Sequence, residues 1–170
     1  MKRLKNKVAL ITGGNAGIGY ATAKEFLSQG ANVIITARNK SKLDKAVKAL
    51  GHGAHGILSD AESMSDVNDL PEKVKVITGT LDIVVLNAGY YEIVPFELNT
   101  EVYYDAMNQL YNKGVYFTIQ QLLPLMQAGG SIVITNTIAV NQTMPAGFSV
   151  MLTAKGAAFT MSRALANELA

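Results

Sequence analysis

The residues with the clearest chemical meaning are Thr12-Gly13-Gly14-Asn15-Ala16-Gly17-Ile18-Gly19. They follow the apolar run Val8-Ala9-Leu10-Ile11 and open into a helical pattern over Tyr20 to Gln29. A strand that turns through glycines into a helix gathers free backbone N–H groups and the positive end of a helix dipole at one point, which suits a pyrophosphate. Scattered glycines alone mark ordinary tight turns; the strand before and the helix after make this stretch informative. Composition closes off other chemistries. The chain has no cysteine, so neither a disulfide framework nor a thiolate metal site can form. Its two histidines, His52 and His55, lie in or beside a glycine-rich loop and read as loop residues, with no further His or Cys to complete a metal site.

The elements that must position this turn follow from hydrophobic periodicity. Near-continuous apolar runs mark buried parallel strands at Val8 to Thr12, Asn32 to Ala37, Asp82 to Asn87 and Ser131 to Asn136, with a short strand around Ile57 and Leu58 after a loop over Gly51 to Gly56. Ala21, Ala23, Phe26 and Leu27 fall at helical spacing before Gly30, and Leu43, Ala46, Val47 and Leu50 repeat the pattern in Ser41 to Leu50. Asp66 to Thr78 is a predicted helix in which Pro71 fits best within a first turn. Thr100 to Met126 holds two helical segments joined near Asn112-Lys113-Gly114, and Ser149 begins a long helix rich in small residues. This alternation predicts an α/β fold, a doubly wound parallel sheet with helices on both faces. A sheet of this type continues with another strand and helix, so the 170 residues are expected to form one domain lacking its C-terminal strands.

The chain is 49% hydrophobic and 16% charged, the balance of a folded globular protein. A net charge of +2 gives no reason to expect a nucleic-acid partner, and the basic leader Lys2, Arg3, Lys5 and Lys7 reads as a solvated end. The apolar run after it is too short for a signal peptide, and no stretch approaches transmembrane length. The expected location is the cytoplasm, with no membrane partner.

Three blocks together resemble the short-chain dehydrogenase/reductase family: Thr12-Gly-Gly-Asn-Ala-Gly-Ile-Gly19, Asn87-Ala-Gly89 at the end of the fourth strand, and Lys155 on the last helix. The resemblance implies a Rossmann-type fold, NAD(P)(H) as cofactor, and hydride transfer between the nicotinamide and a small carbonyl or alcohol substrate. On it, Gly13, Gly17 and Gly19 permit the turn, the close backbone approach and the helix–strand packing, while Asn15 and Ile18 line the pyrophosphate and ribose. Asp60 matches the acid that hydrogen-bonds the adenine amino group, and Asn87, Ala88 and Gly89 face the cofactor. Where an NAD-selecting acid would end the second strand, the sequence reads Thr36-Ala37-Arg38-Asn39. Arg38 can pair with a 2′-phosphate, which favours NADP(H) over NAD(H). Otherwise Arg38 is a solvated loop cation, and Ala16 lacks the second basic residue of some NADP-preferring members. The family's pairing of long helices also implies a homodimer or homotetramer.

The catalytic half departs from the family pattern. There a Tyr stands four residues before the Lys, on the same helix face, and passes a proton to or from the substrate oxygen. Here Lys155 is present, and the resemblance implies that it binds the nicotinamide ribose, but Met151 stands in the Tyr position and its thioether has no transferable proton. Thr137 falls at the position of the catalytic Ser and keeps a hydroxyl; Tyr111 falls where an Asn supports the proton relay, with Asn112 one step away. Two readings stay open. The chain is an oxidoreductase with a relocated acid, for which Tyr111 is the candidate and Tyr90 and Tyr91 are weaker ones; or it is a dinucleotide-binding pseudoenzyme, a scaffold or sensor. A structural protein without cofactor ranks last, because it has no need of all three blocks.

Overall fold

Residues of a strand alternate between the two faces of its sheet, and here both faces are apolar and covered. The computed structural model describes residues 2–170. Its strands are β1 (Val8–Thr12), β2 (Asn32–Ala37), β3 (Ala54–Leu58), β4 (Leu81–Leu86) and β5 (Met126–Ile134), all parallel in the order β3-β2-β1-β4-β5. The helices are α1 (Gly17–Ser28), α2 (Lys40–Leu50), α3 (Met64–Lys75), α4 (Glu101–Asn108), α5 (Val115–Leu122) and α6 (Ser149–Glu168). Leu10, Ile34 and Val84 point to one face and pack with Leu70 of α3 and Ile119 and Leu122 of α5. Ala9, Ile11, Val33 and Ile35 point to the other and pack with Ala23 of α1 and Leu43 of α2. Strand order reverses direction at the β1–β4 boundary, so the crevice at their C-terminal ends is where such sheets take ligands.

Several elements depart from the expectations of sequence. β3 begins at Ala54, so His55 and Gly56 lie in the strand and not in a loop. A Cβ on Gly56 would come within 2.8 Å of Val47 Cγ2, so α2 packs directly on this strand. α3 begins at Met64, where the Ser63 hydroxyl accepts from the Asp66 N–H at 3.2 Å, which places Pro71 in the helix interior and not in a first turn. Its missing N–H is offset by Val67, Leu70 and Val74, all buried on one face of α3. β5 starts at Met126, within the expected helical stretch, and a register shift against β4 between Leu81 and Ile83 absorbs the polar, glycine-rich Gln127 to Ser131. α4 and α5 are joined through a wide π-helical turn, Gln109–Gly114. Among the described residues no helix is long and apolar enough to cross a membrane.

Candidate active site

The turn from β1 to α1 is built so that its backbone is open on one side. The Gly14 N–H donates to the Thr36 carbonyl at 3.1 Å, tying the turn to β2. Gly17 opens α1 at φ +54°, in the left-handed region, and a Cβ there would meet nothing within 4 Å. The demand at Gly17 is therefore conformational, with open space in front of it. Gly19 is the opposite case: a Cβ would sit 2.5 Å from the Gly13 carbonyl oxygen and 2.6 Å from Asn87 Nδ2. Ala16 precedes the helix with no capping side chain, and no acid lies in the first turn. The first N–H groups of α1 and the dipole behind them are thus left for an external anion. Ile18, 69% exposed, stands at this open end.

Thr12 and Asn87 knit the strand ends together. The buried Thr12 hydroxyl accepts from the N–H groups of both Asn87 (2.9 Å) and Ala88 (3.0 Å). Asn87 Nδ2 in turn donates to the Thr12 carbonyl at 3.3 Å, and Thr135 Oγ1 donates to Asn87 Oδ1 at 3.4 Å. One amide therefore connects the ends of β1, β4 and β5. The role of Thr12 escapes sequence reasoning, because a threonine ending an apolar strand carries no signal of its own.

Gly13, Asn15, Arg38, Asp60, Ala88 and Gly89 line a single cleft of about 140 Å³, joined by Glu62 and Tyr90. Asp60 Oδ1 accepts from the Glu62 N–H at 3.0 Å, which shapes the turn after β3. Arg38 is not an isolated loop cation. Its Nη1 donates to Glu62 Oε1 at 3.1 Å, and its guanidinium lies 5.4 Å from the centre of the Tyr90 ring. Burial and the neighbouring Asp60 push the Glu62 carboxyl above its usual range, against the opposing pull of Arg38.

Lys155 and Tyr111 meet, but not as a hydroxyl beside a cation. Lys155 Nζ donates to the Thr135 carbonyl at 2.7 Å and lies 4.0 Å from the centre of the Tyr111 ring. Burial brings the Lys155 ammonium down to about 8. The Tyr111 hydroxyl donates to the Tyr90 carbonyl at 2.5 Å, and burial pushes this phenol up to about 12. Its proton is thus committed to the backbone and its acidity is weakened, the reverse of what a relocated acid requires. Asn112 turns away: its Nδ2 donates to Asn108 Oδ1 at 2.7 Å. A Cβ on Gly114 would run into the Ala61 carbonyl oxygen, so the π-helical turn is packed hard against the turn after β3. Met151 is buried one helical turn before Lys155.

Thr137 lies on the segment after β5. Its Oγ1 accepts from the Ala139 N–H at 3.2 Å, which leaves its own proton available. Asn136, which sequence reasoning passed over, fixes this segment to α6: Nδ2 donates to the Lys155 carbonyl at 3.1 Å and Oδ1 accepts from the Thr137 N–H at 2.8 Å. The segments 90–96 and 141–148 meet where the Val94 N–H donates to the Gly147 carbonyl (3.1 Å) and where the Tyr91 and Phe148 rings lie 6.0 Å apart.

Parallel sheet, glycine turn and strand-end asparagine define the dinucleotide-binding class. The chain belongs to the short-chain dehydrogenase family, whose model, described as short chain dehydrogenase, matches residues 7–170. Oxidoreductase asL5 of Sarocladium schorii is 39% identical over 170 residues, covering 99% of this chain and 68% of that protein. The Pseudomonas aeruginosa RhlG/NADP active-site complex superimposes with a TM-score of 0.93 at 29% identity, covering 98% of this chain and 68% of that one. A short chain dehydrogenase from Burkholderia cenocepacia J2315 in complex with NADP gives 0.92 at 32% identity, with 98% and 70% covered. General NAD(P)(H)-dependent oxidoreductase activity of the short-chain type goes with this membership.

Proposed function

We propose that the chain is an NADP(H)-preferring oxidoreductase that moves a hydride between the nicotinamide and a small carbonyl or alcohol substrate. Its proton comes from Lys155 instead of a tyrosine. The observation that carries this reading is Lys155 itself, held by Thr135 over the Tyr111 ring with its ammonium brought down to about 8. A general acid works best when its pKa lies near the working pH. The open N-terminus of α1, the left-handed Gly17 and the packed Gly19 fit the pyrophosphate, with Asn15 and Ile18 beside it. Arg38, Asp60, Ala88 and Gly89 line the cleft that fits the adenosine end, and Asn87 holds the strand ends between the two halves. NADP in two of the similar structures supports the preference, as does Arg38 at the end of β2.

When bound, NADPH supplies the hydride. The residues of the chain then act on the substrate oxygen. Thr137 donates a hydrogen bond to the carbonyl, which fixes its orientation and favours charge building on oxygen. Lys155 Nζ gives a proton to that oxygen, leaving a neutral amine that solvent reprotonates; alcohol oxidation runs the same transfer in reverse. Tyr111 is a positioning residue: its ring carries the Lys155 cation and its hydroxyl pins the Tyr90 backbone. Tyr111→Phe keeps the ring and should retain turnover within about threefold, since no acid is lost. Thr137→Val should lower kcat by roughly tenfold or more. NADPH oxidation followed over a panel of ketones and quinones reads both; loss of turnover in Tyr111→Phe would return the acid to Tyr111.

Met151 favours a second reading, a dinucleotide-binding scaffold or sensor without turnover. Buried in the position of the family's acid, it has no proton to give. Tight NADPH binding with no substrate consumed across the panel would support that reading. Met151→Tyr should raise activity if the remaining site is competent. A cytoplasmic location and a homodimer or homotetramer remain part of the proposal.

A further inference from the structure

The carboxylate missing from the end of β2 is supplied by the neighbouring turn. Arg38 follows β2 and Glu62 follows β3, and the register that pairs Ala37 with Leu58 sets the two strand ends side by side. Glu62 Oε1 accepts from Arg38 Nη1 at 3.1 Å, while the Tyr90 ring lies 5.4 Å from the same guanidinium. The turn holding Glu62 is built on both sides: its N–H donates to Asp60 Oδ1 at 3.0 Å, and the next residue, Ser63, caps α3. The Glu62 side chain is 23% exposed and the Arg38 side chain 60%, so the carboxylate is the more enclosed partner.

We propose that Glu62 is a specificity-determining residue for the cofactor. It engages Nη1 of the guanidinium that a 2′-phosphate would pair with and places a negative charge before that phosphate, which narrows the preference for NADP(H) over NAD(H). The inference rests on reading the cleft as the adenosine end of a dinucleotide site. A phosphate monoester carries nearly two negative charges at neutral pH and pairs best with a guanidinium fork that is free. With Glu62 in place, two anions share one cation, and Asp60 adds a third nearby. A ribose hydroxyl meets no such conflict, because it can donate to a carboxylate. The raised Glu62 carboxyl, caused by burial and Asp60, fits a site already crowded with acid.

Calorimetric titration of wild type, Glu62→Gln, Arg38→Gln and the double variant Arg38→Gln/Glu62→Gln with NADPH and NADH tests this. Adenosine 2′,5′-bisphosphate and AMP serve as fragments that differ only at the 2′ position. Glu62→Gln should raise the NADPH-to-NADH affinity ratio by roughly three- to tenfold, with a parallel rise in the fragment pair. Measured against Arg38→Gln alone, the same Glu62→Gln change should give a smaller gain, because no guanidinium is left to release and only the facing charge is removed. An unchanged or lowered ratio in Glu62→Gln would overturn the inference, as would an equal gain with and without Arg38. Failure of the wild-type chain to bind either dinucleotide would overturn the cofactor reading, and this inference with it; that result is distinct from binding with an unmoved ratio.

Discussion

Met151 and Lys155 stand one helical turn apart on α6, a residue that cannot give a proton beside one that can. Lys155 is the costly member of the pair, since its charge is partly withdrawn from water with the Thr135 carbonyl and the Tyr111 ring as partners. Its ammonium titrates at about 8 in the fold against the usual 10.5, because burial disfavours the charged form. Between those values the unfolded chain binds a proton that the folded chain does not, so the contribution of Lys155 to stability rises with pH across that window. Below about pH 8 it is least favourable. Urea unfolding of wild type and Lys155→Met at pH 7 and pH 10 should show the wild type gaining on the variant at the higher pH. A constant difference would mean that Lys155 is not perturbed.

The glycine turn of β1 and α1 is the element on which cofactor binding depends. Gly19 leaves no room for a side chain against Gly13 and Asn87, and overpacking of this kind costs roughly 1–3 kcal/mol. Gly19→Ala should therefore lower stability by about that amount and weaken NADPH binding, as denaturant melts and fluorescence titration would show. This element was legible in the sequence, as were β1, β2 and α2, because buried strands are written as apolar runs and glycines punctuate them. Apolar patterning alone underestimates β3, because Ala54, His55 and Gly56 show no such pattern on a strand at the sheet edge. Periodicity puts the start of α3 late, at Asp66, although Ser63 followed by Asp66 is the pattern of a capped helix start. Glu62 carried no local signal, since only the parallel register of β2 and β3 brings it to Arg38. Resemblance puts Tyr111 near Lys155, but which part of it faces the ammonium depends on the π-helical turn, and no periodicity describes that turn.

At the scale of the molecule, two apolar layers clamp the sheet while the site lies across the C-terminal ends of its strands. A ligand that binds only the folded chain stabilises the whole of it, by about 2.7 kcal/mol at a hundredfold excess over Kd. For a chain of this size that moves the melting midpoint upward by roughly 5–10 °C. NADPH should produce the larger shift and NADH at equal concentration a smaller one; equal shifts would remove the preference for the 2′-phosphate. The most direct measurement is the pH dependence of kcat for NADPH-driven carbonyl reduction in wild type and Lys155→Met. The expected result is turnover that falls as pH rises through the Lys155 pKa, near 8 in the free protein, and is lost in the variant even at NADPH concentrations that saturate it. Turnover that survives Lys155→Met, or NADPH binding with no carbonyl reduced at any pH, would contradict it.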